Sequence, residues 1–324
     1  MNRFRIGKGG IESAALAAAV LLLFSGCASS PPERTGDPEL SSLSRAGRDA
    51  YERGEFKLSA RLYRMARDRA RLIDDPGEIG TVTYNLAAAA LELGENERAE
   101  ELLAEARRAF SRGPGVPADL VLLQGRLALL AGRVGEAEGF VAEGLAAGEE
   151  ALGRRTWVQF RLLEAEAALA GGDPESGREI FNGLGPAIRK IDDPLILAGG
   201  LSLEGELLFL EGDFPGAGKI FDREAELLRK EGRYRGMTRA RSRAGAAYLA
   251  AEDFCPAAER FYRASRALFA RGETLSALEE IRSALAAAEQ CPEETIRAEV
   301  GSLFIELRES LPGNPPPVPP GESE

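Results

Sequence analysis

The sequence of 324 residues contains no histidine. This absence excludes catalytic Ser-His-Asp and Cys-His pairs, histidine general bases and most zinc sites, because all of them need an imidazole. Aromatic residues make up only 6% of the chain, whereas Ala and Leu dominate its 44% hydrophobic content. The composition predicts an all-α protein that is not an enzyme and has neither a metal centre nor a cofactor.

Basic residues are outnumbered by acidic ones, 41 to 52, and the formal net charge is −11. Such a chain would be repelled by a phosphate backbone, so no nucleic-acid partner is expected. Charged residues make up 29% of the sequence and are spread along the chain, as expected for helices with one solvated face. The acidic runs Glu95–Glu101 and Glu289–Glu294 are explained more simply by such faces than by calcium or glycosidase chemistry.

Residues 1–26 are typical of an export signal. Three basic residues precede an apolar run from Ser13 to Phe24, which is too short to span a bilayer comfortably. The sequence Phe24-Ser25-Gly26-Cys27 resembles a bacterial lipobox, although that motif prefers Leu where Phe24 stands. The resemblance implies that Cys27 is lipidated and becomes the N-terminus; the alternative is ordinary cleavage nearby, which would release a soluble protein.

Both ends of the mature chain are predicted to be extended. Residues 27–39, rich in Ser, Pro and Gly, form a flexible tether after Cys27, and residues 311–324 form a Pro-rich disordered tail. Ala28 stands where lipoproteins retained at the inner membrane carry Asp. By this resemblance, we expect a lipid anchor in the outer membrane of a two-membrane cell, with the protein facing the periplasm.

Small and large residues recur with a period near 40 residues. Possible helix-ending positions are Gly54, Gly94, Gly132, Gly172, Gly212, Glu252 and Cys291. Seven residues before each of these anchors stand Gly47, Ala87, Gly125, Ala165, Gly205, Gly245 and Ala284. Nine residues after each anchor stand Tyr63, Leu103, Val141, Phe181, Phe221, Phe261 and Val300. This spacing predicts seven helical hairpins over residues 40–310.

Physical requirements of helix packing explain the recurring residues. Small residues let the two helices of a hairpin approach closely, and the large residue is expected to fill the gap between neighbouring hairpins. Glycine at the anchor supplies the left-handed conformation that ends a helix. A single hairpin cannot bury its apolar face, so the hairpins must stack.

The pattern Gly47…Gly54-Glu55-Phe56…Ser59…Tyr63…Ala66 resembles the tetratricopeptide repeat, stretched from the usual period of 34 residues. The resemblance covers nearly the whole mature chain. It implies a right-handed superhelical solenoid of about seven hairpins and fourteen helices. The last unit, with Cys291 as its anchor, departs from the pattern as a capping repeat would.

The resemblance also implies that the first helix of every hairpin lines a concave face that binds a partner. Carried over by register, the groove residues are Ser44, Arg48, Tyr51, Tyr84, Arg126, Glu166, Glu206 and Phe209. An extended or helical segment of a partner could be anchored there by the aromatic side chains. The alternative is that the apolar positions are buried between helices and that the charges are merely solvated.

Cys255 and Cys291 are the two cysteines left once Cys27 is assigned to a lipid. An exported protein meets an oxidising compartment, so the pair could form a disulfide that joins the last two repeats. The alternative is two free, half-buried thiols.

These observations predict a membrane-anchored, non-enzymatic scaffold that binds another protein of the cell envelope. Analogy with similar lipoproteins suggests help in assembling a secretion or pilus machine, or an adaptor for a cell-wall enzyme. One alternative is an envelope enzyme or solute-binding protein on a helical-repeat frame, which would need a deep pocket with convergent polar groups. Another is a structural protein whose self-association matters most; the sequence predicts no oligomeric state.

Overall fold

The computed structural model describes residues 37–188 and 190–311. Cys27, the predicted export signal and most of the predicted tether and tail lie outside these ranges. Within them every regular element is an α-helix. The helices are α1 Pro38–Glu52, α2 Phe56–Ile73, α3 Pro76–Leu93, α4 Asn96–Ser111, α5 Ala118–Leu130, α6 Val134–Leu145, α7 Gly148–Leu152, α8 Arg154–Ala170, α9 Pro174–Ile188, α10 Pro194–Leu210, α11 Phe214–Lys230, α12 Tyr234–Ala250, α13 Phe254–Ala270, α14 Thr274–Gln290 and α15 Glu294–Glu309.

The helices pack as seven consecutive hairpins, numbered here as units 1 to 7. The first helices are α1, α3, α5, α8, α10, α12 and α14, and their partners are α2, α4, α6, α9, α11, α13 and α15. The predicted all-α solenoid is confirmed. The predicted count of fourteen helices is wrong by one, because the short α7 lies between units 3 and 4, flanked by Gly148 and Gly153 with positive φ angles of 76° and 75°.

The first helix begins at Pro38, two residues before the predicted start of the solenoid at residue 40. Asp37 accepts a hydrogen bond from the backbone N–H of Leu40 at 2.8 Å, and Pro38 occupies the first helical position. Both residues are favoured at a helix start because the carboxylate satisfies a free amide and proline has no amide to lose. At the other end α15 stops at Glu309, and Leu311 packs against the last core cluster.

The glycine anchors adopt the left-handed conformation that the sequence predicts. Gly54, Gly94, Gly132, Gly172 and Gly212 have φ angles between 73° and 86°. Glu252 also has a positive φ, 58°, although it carries a side chain, so the repeat imposes the turn on an unfavourable residue. Cys291 departs from the pattern with a φ of −82°, and it ends α14 in an extended conformation.

In units 1, 5 and 6 the large residue of the repeat packs against the small residue of its own hairpin. A Cβ added at Gly47 would lie 3.0 Å from the ring of Tyr63, and one at Gly245 would lie 2.9 Å from Phe261. The same large residues also belong to core clusters that continue into the next hairpin, since Tyr63 clusters with Leu86 and Phe221 with Ala244. Tyr248 of α12 adds a second ring between hairpins, because it lies against the backbone of α11.

No described helix is long and apolar enough to cross a membrane.

Candidate partner-binding groove

Charged side chains from four successive first helices meet on one face of the solenoid. Glu166 of α8 interacts electrostatically with Arg126 of α5, with Glu206 of α10, and with Arg239 and Arg243 of α12. Residues of unit 3 and unit 6 can act on the same carboxylate only if the row of first helices curves inward around it. These five residues, with Glu224 of α11, form the charged cluster of the concave face.

Arg243 connects most of the charged cluster. Its Nη1 donates to Ser202 Oγ at 2.8 Å and to Glu206 Oε1 at 2.5 Å. Its Nη2 donates to both carboxylate oxygens of Glu224, at 2.8 and 2.7 Å. The guanidinium also lies 4.7 Å from the centre of the Phe221 ring. An arginine whose two terminal nitrogens bind different partners while its plane lies over a ring is held in one geometry.

Glu224 is the buried member of the cluster, with only 5% of its surface exposed. Burial raises its pKa to about 7, and the neighbouring Arg243 opposes that shift. Its position in the repeat is alanine in three other units, Ala66, Ala106 and Ala264, and is uncharged in all of them. A carboxylate at a core position costs free energy unless it is paired. Glu224 therefore destabilises its own hairpin unless its partner Arg243 compensates for the buried charge.

Glu166 is half-buried, and burial raises its pKa even though Arg126 lies nearby. Burial also lowers the pKa of Arg239. Within the described ranges no ion pair closer than 4 Å joins Glu166, Arg126 or Arg239 to any other group. The groove therefore holds two guanidinium groups and a carboxylate that are close enough to influence one another and retain capacity for hydrogen bonds to a ligand.

The eight groove residues predicted from the sequence divide into two regions. Arg126, Glu166 and Glu206 lie in the charged cluster, while Ser44, Arg48, Tyr51 and Tyr84 lie on α1 and α3 of the first two units. The eighth, Phe209, stands near the end of α10 and packs edge-on against Phe214, with ring centres 5.1 Å apart. Tyr51 packs in the same way against Phe56, with ring centres 5.3 Å apart. Part of the surface of both rings is therefore covered within their own hairpins.

Three cluster residues, Glu224, Arg239 and Arg243, are absent from the sequence prediction. Arg243 stands nine residues before its anchor, a position that is leucine in the three preceding units: Leu123, Leu163 and Leu203. The signal that could have found Glu224 and Arg243 is a charge at a position where several preceding units have Ala or Leu.

Apolar residues lie at the ends of several first helices, beside the cluster. Leu130, Leu210 and Leu249, at or near the ends of α5, α10 and α12, are exposed. Leu130 and Leu210 occupy equivalent positions of their repeats, and exposed leucines of this kind can bury apolar surface against a partner. The described residues contain no group of His, Cys, Asp and Glu that could hold a metal ion.

Cys255 and Cys291 form a disulfide in the structure, with Cα atoms 4.9 Å apart. The bond joins the first turn of α13 to the residue that ends α14, and Cys291 is almost fully buried. It therefore fastens unit 7 to unit 6.

Comparisons with known proteins place this geometry in a structural class. No protein-family model matches the chain, and no curated protein matches it. Solved structures do: NprR in complex with its cognate peptide NprX has a TM-score of 0.63 and 12% identity, over 85% of this chain and 83% of that one. The chain is thus a helical-repeat solenoid.

A second solved structure that resembles this chain contains tetratricopeptide repeats. The signal transduction ATPase with numerous domains from Pyrococcus horikoshii, which has a tetratricopeptide repeat sensor, has a TM-score of 0.56 and 12% identity. The match covers 86% of this chain but only 44% of that protein, so this chain spans less than half of its length. The chain has the tetratricopeptide-repeat fold that the residue spacing predicts.

Proposed function

We propose that this protein is a non-enzymatic interaction scaffold that holds a segment of a partner protein along its concave face. The observation that carries the proposal is the charged cluster, in which four successive first helices direct both signs of charge at one place. Burial raises the pKa of Glu166, so its ionised form costs free energy that a ligand supplying donors or a cation would offset. Natural proteins tolerate such departures chiefly at functional sites.

The chemistry of the groove suggests the kind of segment it holds. Arg126 and Arg239 offer donors for carboxylates or main-chain carbonyl groups, Glu166 accepts from amides or cations, and the exposed leucines contact apolar side chains. A peptide segment with both charged and apolar residues supplies all of these contacts. The similarity to NprR, whose structure contains a bound cognate peptide, supports a peptide ligand for a solenoid of this shape.

The proposed location is the cell envelope. The lipobox-like sequence at Cys27 supports a lipid anchor, and Ala28 supports the outer membrane, facing the periplasm. Anchoring would concentrate the groove at the membrane surface and favour partners held there. An envelope protein is the partner we propose, either a component of a secretion or pilus machine or a cell-wall enzyme.

A capture experiment tests the scaffold. Full-length protein is used to retrieve partners from a detergent extract of the cell envelope, beside an Arg126→Ala/Arg239→Ala variant. Arg61→Ala, which removes an exposed arginine from the second helix α2, is the matched control. We expect a partner that is retained by the control and lost with the groove variant. Equal retention by both variants would remove the concave face as the binding site.

Fractionation tests the anchor. Cys27→Ser is expected to move the protein from the membrane fraction to the soluble fraction, because the lipid can no longer be attached. If the variant stays in the membrane fraction, the lipid anchor is wrong while the groove proposal is unaffected.

A further inference from the structure

One ion pair joins parts of the chain that are far apart in sequence. Arg233 Nη1, at the start of α12 in unit 6, lies 3.5 Å from Glu92 Oε1, near the end of α3 in unit 2. The two residues are 141 positions apart, and their side chains are only 20% and 22% exposed. The contact therefore connects units separated by three complete hairpins.

Two further contacts reinforce this pair. The guanidinium of Arg233 lies 5.1 Å from the centre of the Tyr51 ring, at the end of α1. Arg235 Nη1 packs so closely on Gly94 that any side chain at that position would collide with it. We call Tyr51, Glu92, Gly94, Arg233 and Arg235 the seam.

Helix electrostatics do not explain the charges of the seam. Arg233 occupies the N-cap of α12, where a positive charge interacts unfavourably with the helix dipole. Glu92 stands in the last turn of α3, where a negative charge is unfavourable for the same reason. By contrast, α1, α3 and α10 begin at aspartates: Asp37, Asp75 and Asp193. Each seam charge is unfavourable on its own helix and is compensated by the other.

The seam joins opposite edges of the solenoid. All first helices run in the same direction along the stack, so the ends of α1 and α3 lie at one edge and the start of α12 lies at the other. Edges of units 1 and 2 can touch the opposite edge of unit 6 only after the stack has completed a turn. The concave face between them is then enclosed.

We propose that the seam makes the groove a closed channel, which admits a partner segment with a free end and excludes an internal segment between folded domains. The proposal rests on the proposed function and specifies the form of its partner. A free chain end can enter along the axis of the channel. A segment tethered to bulky domains at both ends can enter only where the seam separates.

Charge reversal tests whether the seam closes the solenoid in solution. Glu92→Arg is expected to increase the radius of gyration measured by small-angle X-ray scattering, and the exchange Glu92→Arg/Arg233→Glu is expected to restore it. Glu100→Arg is the matched control, because Glu100 pairs with Arg133 at 2.7 Å between adjacent units. An unchanged scattering curve for Glu92→Arg, or the same expansion for the control, would overturn the proposal.

A binding experiment tests the form of the partner. Twelve-residue peptides, displayed with a free N-terminus, are selected on the full-length protein, and sequences that fail to bind the Arg126→Ala/Arg239→Ala variant are kept. Each sequence is then placed between two folded carrier domains. We expect the wild type to bind the terminal form at least tenfold more tightly, and Glu92→Arg to bind both forms alike.

The outcomes separate the two proposals. Equal binding of terminal and internal forms by the wild type would overturn the closed channel and leave the scaffold in place. If no selected sequence depends on the groove arginines, the scaffold itself is overturned, and the channel proposal with it.

Discussion

The buried carboxylate of Glu224 makes the stability of the solenoid depend on pH. Its pKa rises from 4.5 to about 7 in the folded protein because burial disfavours the charged form. A raised pKa means that folding favours the protonated carboxyl. The stability contributed in this way is complete below pH 4.5 and is lost as the pH rises through 7.

The magnitude follows from the shift. Each pKa unit corresponds to about 1.4 kcal/mol of free energy. Between pH 5.5 and full ionisation roughly 1.5 units of the shift are lost, which is a decrease of about 2 kcal/mol in the free energy of unfolding. Glu166 and Glu280, whose pKa values are also raised by burial, change stability in the same direction, so a substitution is needed to isolate Glu224.

Urea denaturation followed by circular dichroism at pH 5.5 and pH 8 measures this dependence in the wild type and in Glu224→Gln. The amide keeps the shape and one acceptor for Arg243 but cannot ionise, so its difference between the two pH values should be smaller by about 2 kcal/mol. Glu226→Gln is the control, because Arg229 lowers the pKa of this exposed glutamate to about 2 and it stays ionised throughout. If Glu224→Gln keeps the wild-type pH dependence, the assignment to Glu224 is refuted.

Four further substitutions test helix ends, the disulfide and the packing by thermal or urea denaturation. Glu252→Gly should raise the free energy of unfolding by about 1 kcal/mol, because glycine adopts the left-handed conformation without strain. Gly212→Ala should lower it by about 1 kcal/mol for the same reason, since a Cβ at this position meets no neighbouring atom within 4 Å. Effects of the same sign for the two variants would contradict this. Cys255→Ser should cost about 4 kcal/mol, since the bond closes a loop of 36 residues, and no change on reduction would argue against the bond. Gly205→Ala should cost about 1–3 kcal/mol by overlap with the Phe221 ring, with partial rescue by Phe221→Leu.

The hairpin register could be predicted from the sequence because close packing of two helices tolerates only small residues at the crossing point. A Cβ added at Gly47 or Gly245 would lie 3.0 or 2.9 Å from an aromatic ring, so a larger residue at either position would separate the helices. The requirement recurs in every unit, and repetition makes it visible without a structure. The same holds for the glycine anchors, whose left-handed geometry is local.

Other features could not be predicted, because they depend on contacts between distant units. The short helix α7 interrupts the stack without breaking the period. Whether Glu166 meets Arg239 depends on the curvature of the solenoid, which the spacing of residues does not specify. The seam joins residues 141 positions apart, and neither Glu92 nor Arg233 belongs to a repeated pattern.

Departures from a repeat carry more information about function than the repeat itself. Glu224 stands where three other units have alanine, Arg243 stands where three units have leucine, and Arg233 occupies the N-cap of a helix where several first helices have aspartate. Each substitution is unfavourable at its own position, because it buries a charge or opposes a helix dipole. Each is compensated only by a residue of another helix: Glu224 by Arg243, and Arg233 by Glu92. Stacking hairpins requires none of these pairs, so we attribute them to the ligand that the groove is proposed to bind.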